Sequence, residues 1–197
     1  MISRDIRRKF GQNYLSDPAI IFEMGQAISP QTNSNFFEIG PGMGALTNVL
    51  NQDGISIKAI DIDKNNIDYL SKQFTGPAKF EFFQGDILTT SLNFLEDENY
   101  RIVGNLPYNI STQIILKFID WHNVIQDMHF LVQKEVAERI VAREGKKRGI
   151  ISVLIETFYD SEYCFTVNED VFINDTEKIK MHNTRNKVFY FTQKKAL

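Results

Sequence analysis

Short apolar, β-branched or aromatic runs alternate along this chain with longer stretches of helical period, the pattern of βα units around a mainly parallel sheet. The runs predict strands near Phe36–Ile39, Ile57–Ile60, Lys79–Gln84, Arg101–Val103, His129–Val132, Tyr163–Val167 and Lys187–Thr192. Between them the 3.6-residue period predicts helices over Pro18–Ile28, Leu46–Asn51, Lys64–Phe74, Thr112–Ile119, Lys134–Arg143 and Ile150–Phe158. Asp17 followed by Pro18 reads as a helix start, with the acid as N-cap and proline in the first turn. The expected fold class is α/β, a seven-stranded and mostly parallel sheet with helices on both faces. No repeat and no Gly/Ser-rich or Pro-rich linker interrupts the pattern, so residues 1–197 are read as one domain. Residues 174–197 are polar and basic except for Val188–Phe191, and read as a loop followed by an edge strand.

Composition narrows the class. With 43% hydrophobic and 24% charged residues the chain is an ordered globular protein. The single cysteine, Cys164, has no disulfide partner and no companions at metal-ligand spacing, so a buried thiol in a reducing compartment is expected. No apolar run reaches the roughly 20 residues of a membrane span, and MISRDIRRKFGQ lacks the apolar stretch of a signal peptide. A cytoplasmic protein without membrane contact is the expectation. A net charge of −3 argues against a surface coated in nucleic acid. Two local clusters, Arg4, Arg7, Arg8 and Lys9, then Arg143, Lys146, Lys147 and Arg148, are candidates for phosphate contact and equally for solvated surface. His122, His129 and His182 are too scattered to suggest a metal site, and no metal is expected.

Chemistry enters with Phe36–Thr47, which reads as an apolar strand, a tight turn of three glycines and a helix start. Glycines here let a ligand lie against the backbone. The spacing is G-x-G-x-G at Gly40, Gly42 and Gly44, without the last glycine of the dinucleotide fingerprint, and Glu38 would sit poorly beside a diphosphate. S-adenosylmethionine has no phosphate and carries an ammonium and a sulfonium, which suits a nearby carboxylate. About twenty residues on, Asp61 ends a second strand where an acid accepts from both ribose hydroxyls. Asp86 ends a third strand and is placed to accept from the cofactor's adenine amine. Each acid alone would read as a surface turn; together and in order they read as a Rossmann-like class I S-adenosylmethionine-dependent methyltransferase.

The sharpest motif is Gly104-Asn105-Leu106-Pro107-Tyr108-Asn109-Ile110-Ser111, placed after the fourth strand. Methyl transfer to an exocyclic amine needs acceptors for the NH2 group, a rigid turn and an aromatic face for the base. The side-chain oxygen of Asn105 and the carbonyl of Leu106, held by Pro107, supply two acceptors that draw the lone pair out of conjugation. Tyr108 supplies the stacking face, and transfer is then an in-line displacement driven by positioning, without metal or covalent enzyme intermediate.

These residues resemble the small-subunit ribosomal RNA adenine dimethyltransferases. The resemblance runs from Lys9-Phe10-Gly11-Gln12-Asn13-Tyr14-Leu15 through Glu38–Gly42 and Gly104–Ser111 to Asp127-Met128-His129-Phe130 and Gln133-Lys134-Glu135-Val136. It implies that Asn13 and Leu15, within an N-terminal segment 1–17, fold over the cofactor, and that Gly40, Asp61, Asp86 and Asn105 complete its site. It further implies N6,N6-dimethyladenosine as product and ribosomal RNA in the immature small subunit as partner, with a role in ribosome biogenesis; a monomer is expected. The erythromycin-resistance methylases of large-subunit RNA are a poorer match in the Asp127–Phe130 and Gln133–Val136 stretches. Phe172 is the resemblance's candidate for stacking on the base face opposite Tyr108, although the proline-rich turn that follows it in the family is replaced by Ile173-Asn174-Asp175-Thr176-Glu177. The family's smaller helical domain after the core is expected to be lacking, since Leu197 follows closely on the last predicted strand. Two other readings stay open: a DNA adenine methyltransferase, and a non-catalytic assembly or transcription factor on the same scaffold.

Overall fold

The computed structural model describes residues 14–15, 17–96, 98–167, 172–173 and 186–193, with residue 14 and the last two stretches described by their backbone. The elements are β1 (Tyr14–Leu15), α1 (Pro18–Ile28), β2 (Asn35–Ile39), α2 (Ala45–Leu50), β3 (Ser56–Asp61), α3 (Lys64–Gln73) and β4 (Lys79–Gln84). A 3-10 turn (Asn93–Leu95) leads to β5 (Tyr100–Asn105), α4 (Ser111–Ile119), β6 (Ile125–Gln133), α5 (Lys134–Ile140) and α6 (Ile150–Phe158). The last strands are β7 (Tyr159–Val167), β8 (Phe172–Ile173) and β9 (Asn186–Gln193). Strands β4, β3, β2, β5 and β6 lie parallel in that order; β9 runs antiparallel against β6, and β7 antiparallel against β9.

The sheet separates two cores because successive strand residues face opposite sides. Phe37, Ile102 and Phe130 pack on one face with Ile114 and Phe118 of α4 and Ile155 of α6. Phe36, Val103 and Leu131, each adjacent in sequence to one of those strand residues, pack on the other face with Met24 and Ile28 of α1 and Leu50 of α2. β2 pairs with β3 on one side and β5 on the other, so the chain first winds outward to β4 and then returns past β2. The crevice left where the winding reverses, at the carboxyl ends of the strands, is where open α/β sheets bind ligands.

Local chemistry sets several boundaries. The Asp17 carboxylate caps α1, accepting from the backbone N–H of Ala19 at 2.8 Å and of Ile20 at 3.2 Å. At the other end of α1 the Arg101 guanidinium donates to the carbonyls of Ile28 and Ser29. Arg101 also forks onto Asp127 at 2.9 and 3.0 Å, next to His129, and all three are buried. This network ties α1 to β5 and β6. Burial lowers the His129 pKa, with Asp127 acting in the opposite direction, so the ring is held toward its neutral form.

Three expectations from the sequence need correction. β9, expected at the sheet edge, lies between β6 and β7; the unbroken Val188–Phe191 run suits a strand with neighbours on both sides. β7 takes the edge. α5 stops at Ile140 rather than Arg143: Gly145 adopts φ +76°, the Arg148 N–H returns to its carbonyl, and the Arg148 side chain donates to Ala142 O. Cys164 is exposed, because it sits at a register shift in edge strand β7, between Tyr163 and Phe165. In the second basic cluster Arg143 and Arg148 share Glu156, and Lys147 pairs with Glu138, so two carboxylates face its four cations. The first basic cluster lies outside the described residues.

Replacing Arg101 by Met should destabilise the protein by about 3–5 kcal/mol, because the Asp127 charge would stay buried without its partner. Urea denaturation measures this, and adding Asp127→Asn to the same variant should recover part of the loss.

Candidate active site

The glycine turn after β2 is held from the neighbouring strand. The Asp61 carboxylate, 4% exposed at the end of β3, accepts the Gly42 N–H at 3.1 Å across the crevice. It also accepts the Asp63 N–H and the Asn66 side-chain amide, each at 2.9 Å, so the same group anchors the start of α3. Gly40, Gly42 and Gly44 all have positive φ, of 65°, 56° and 84°, a region where a side chain would be strained. Gly104 serves a different need. A Cβ there would come within 2.7 Å of the Ile39 carbonyl, so its absence lets the end of β5 close against the end of β2. That approach brings the Asn105 backbone to the glycine turn.

Glu38 lies beneath the turn, 1% exposed, with the Thr47 hydroxyl donating to it at 2.7 Å. Burial pushes its carboxyl up to about 7; the Thr47 hydrogen bond opposes this shift and the Asp61 charge adds to it. Burial likewise raises the Asp61 pKa, against hydrogen bonds from Asp63, Asn66 and Gly42 that lower it. Among the described residues neither carboxylate has an ion-pair partner. Two buried acids with raised pKa values and no ion-pair partner among the described residues form a pocket that favours a positively charged ligand.

At the third strand end Asp86 accepts the Leu88 N–H at 2.9 Å in a local turn, leaving it half-buried at the crevice. After β5, Leu106 is buried and its N–H donates to Leu131 O at 3.0 Å, which pins the Asn105–Tyr108 turn to β6. Ile110 N–H closes that turn onto Pro107 O at 3.3 Å.

One cavity of about 280 Å³ collects these groups. Leu15, Glu38, Gly40, Gly42, Asp61 and Asp86 line it on the glycine-turn side. Asn105, Leu106, Pro107 and Tyr108 line it on the side of β5. Of the other residues singled out from the sequence, Asn13 lies outside the described residues, and Phe172 is described by its backbone, which pairs with Leu15. The sequence reading missed Met24, Ile62, Ile110 and Ile114, which supply apolar wall, and Thr47 and Asn66, which orient Glu38 and Asp61. The first four looked like ordinary core positions. Thr47 did carry a signal, since it stands one helical turn into the segment that follows the glycines. Among the described residues no group of His, Cys, Asp or Glu is arranged to hold a metal ion, and no helix is long and apolar enough to cross a membrane.

The raised Glu38 pKa fixes a pH dependence. The folded state holds a proton that the unfolded state releases between the ordinary value of 4.5 and about 7, so this contribution to stability is full below 4.5 and lost as pH rises through 7. The unliganded protein should lose about 3 kcal/mol of stability across that window from this group. Thermal unfolding from pH 4.5 to 8 checks it, and Glu38→Gln should flatten the slope.

Comparisons with known proteins point the same way as this geometry. The family model described as "Ribosomal RNA adenine dimethylase" matches residues 3–182. A protein of Methylococcus capsulatus named ribosomal RNA small subunit methyltransferase A is 38% identical over 168 residues, covering 84% of this chain and 65% of the relative. One of the same name from Legionella pneumophila is 42% identical over 168 residues, with the same coverage. The chain thus spans less than two thirds of the length of the curated relatives it matches. Among solved structures, a dimethyladenosine transferase from Plasmodium falciparum superposes with a TM-score of 0.78 at 24% identity, covering 91% of this chain and 63% of that one. The 23S rRNA methyltransferase ErmE gives 0.76 at 20% identity, covering 92% and 70%. Such likenesses carry the Rossmann-like methyltransferase fold, and the extent of the family match decides the rest: this chain belongs to the ribosomal RNA adenine dimethylase family.

Proposed function

We propose that the protein transfers methyl groups from S-adenosylmethionine to the N6 amine of adenosine in small-subunit ribosomal RNA, giving N6,N6-dimethyladenosine in the cytoplasm during ribosome biogenesis. The observation that carries this reading is that Asn105 and Leu106 share one cavity with the Gly40–Gly42 turn, Asp61 and Asp86. The names of the curated relatives support the substrate.

The residues present fit the cofactor. A glycine turn at positive φ offers backbone against which a ligand lies without Cβ atoms in the way. Glu38 and Asp61 supply buried negative charge suited to a cation. In this reading Glu38, Gly40, Gly42 and Leu15 surround the amino-acid half, Asp61 takes the ribose hydroxyls and Asp86 the adenine amine. When bound, the cofactor supplies an electrophilic methyl on a sulfonium centre.

The chain's own part is positioning. Asn105 accepts one hydrogen of the target amine through its side-chain oxygen, and the Leu106 carbonyl accepts the other, which pulls the nitrogen lone pair out of the ring system. Tyr108, half-buried on the cavity wall, provides the face on which the extruded base stacks. The buried apolar wall of Ile39, Leu106 and Ile114 excludes water from the reacting nitrogen. Phe172 is assigned the opposite face of the base; its backbone pairing with cavity-lining Leu15 supports a position at the rim. Asn13 is assigned to the segment that covers the cofactor.

Asn105→Ala should lower kcat about 100- to 1,000-fold, the loss typical of removing one group aimed at the reacting centre. Methyl transfer from labelled S-adenosylmethionine to immature small ribosomal subunits, followed by nucleoside analysis, measures it. Unchanged turnover would remove Asn105 from the mechanism; dimethyladenosine formed preferentially in competing DNA would reassign the substrate.

A further inference from the structure

Lys117 lies in the last turn of α4 and reaches the loop that follows β4. Its Nζ donates to the carbonyls of Ile87 at 2.7 Å, Leu88 at 3.1 Å and Thr90 at 2.7 Å. An ammonium has three donors and no acceptor, so this one loop takes its whole hydrogen-bonding capacity. The loop is also wound around Asp86 from within. The Asp86 carbonyl accepts the N–H of Thr89 at 3.1 Å and of Thr90 at 2.9 Å, and the Thr90 hydroxyl at 2.8 Å. Asp86 therefore sets the curl of the loop, and Lys117 fastens the curl to α4. Burial lowers the Lys117 pKa and the Asp86 charge holds it up, which keeps a cation beside the loop.

The loop carries part of the cavity. Asp86, Ile87 and Leu88 line it, whereas Lys117 stands behind them, outside the lining. α4 begins at Ser111, directly after the turn that bears Asn105–Tyr108, and Ile114 of its first turn is on the cavity wall. One short helix thus touches the target-amine side with its first turn and the Asp86 side with its last. A charge-assisted contact to three carbonyls fixes a loop more firmly than its own internal turn does.

We infer that Lys117 is a positioning residue that holds Asp86–Leu88 in place to receive the nucleoside end of the cofactor, and so sets cofactor affinity from outside the cavity. The inference rests on the cofactor reading above. A lysine that merely satisfies surface carbonyls would alter stability alone, and ligand affinities separate the two roles.

The full chain is titrated by calorimetry with S-adenosylhomocysteine and with methylthioadenosine, which retains the nucleoside end and lacks the amino-acid end. Lys117→Met should weaken both by the same factor, about tenfold, the scale of one lost charge-assisted hydrogen bond. Lys117→Arg keeps the charge but replaces a point donor by a planar fork, and should give a smaller loss of about two- to threefold. In turnover assays the cofactor KM of Lys117→Met should rise while kcat at saturating cofactor changes far less. Wild-type affinities in Lys117→Met, or a loss confined to S-adenosylhomocysteine, would overturn the role of Lys117 and leave the cofactor reading standing. Wild-type protein that binds neither ligand would overturn the cofactor reading, and the inference with it.

Discussion

The Asp61 carboxylate is the point on which the cavity depends. It reaches from the end of β3 to the Gly42 N–H, and accepts from Asp63 and Asn66 at the start of α3. A single side chain thereby fixes the glycine turn, the neighbouring strand and the next helix relative to one another. The arrangement costs desolvation, visible in the raised Asp61 and Glu38 pKa values. Three N–H donors offset part of that cost at Asp61, and one hydroxyl offsets part at Glu38. Deprotonating these two acids therefore costs folding stability that a cationic ligand in the cavity would restore.

The rest of the fold keeps that point in place. β2 lies between β3 and β5, and the missing Cβ at Gly104 lets the two strand ends meet tightly enough for Asn105 to border the glycine turn. On one face α4 braces the crevice, with Ile114, Ile115 and Phe118 buried against the sheet. On the other face the Arg101 guanidinium clamps the carboxyl end of α1, which supplies Met24 to the cavity wall. Arg101 sits within β5 and pairs with Asp127 on β6, so the same buried charge pair holds both the strand that ends in Asn105 and the helix that closes the opposite side.

Features that were legible in the sequence are those whose cause is local. Asp17 and Pro18 announce α1, and its bounds fall where they predict. The apolar runs mark β2, β5 and β6 because strands buried on both faces carry near-continuous hydrophobic sequence, and β4 shows instead the alternation of an exposed edge strand. Asp61 at the end of β3 and Asp86, two residues beyond β4, are legible as the acids that follow such runs. What stayed hidden depends on partners distant along the chain. The place of β9 between β6 and β7 is a matter of pairing, and Val188–Phe191 alone cannot say how many neighbours it has. The pairing of Arg143 and Arg148 with Glu156, on the next helix, likewise depends on contacts that charge spacing alone does not give. Lys117 carried no signal, because a lysine on the flank of an amphipathic helix reads as solvated.

The same distinction divides the site. The half that surrounds Gly40, Asp61 and Asp86 is built from strand ends and the turns that follow them, each contiguous in sequence and each held by backbone donors close by. The rim is built otherwise. Tyr14 pairs with Ile173 and Leu15 with Phe172, joining positions from opposite ends of the chain in one short antiparallel ladder. Leu15 also contributes to the cavity wall, so the ladder links the backbone at Phe172 to the cavity. The described register of this ladder is two residues long, whereas six residues pair β3 with β4. The glycine-turn side of the cavity thus rests on long parallel registers, and its Leu15 side on a short antiparallel ladder between distant parts of the chain.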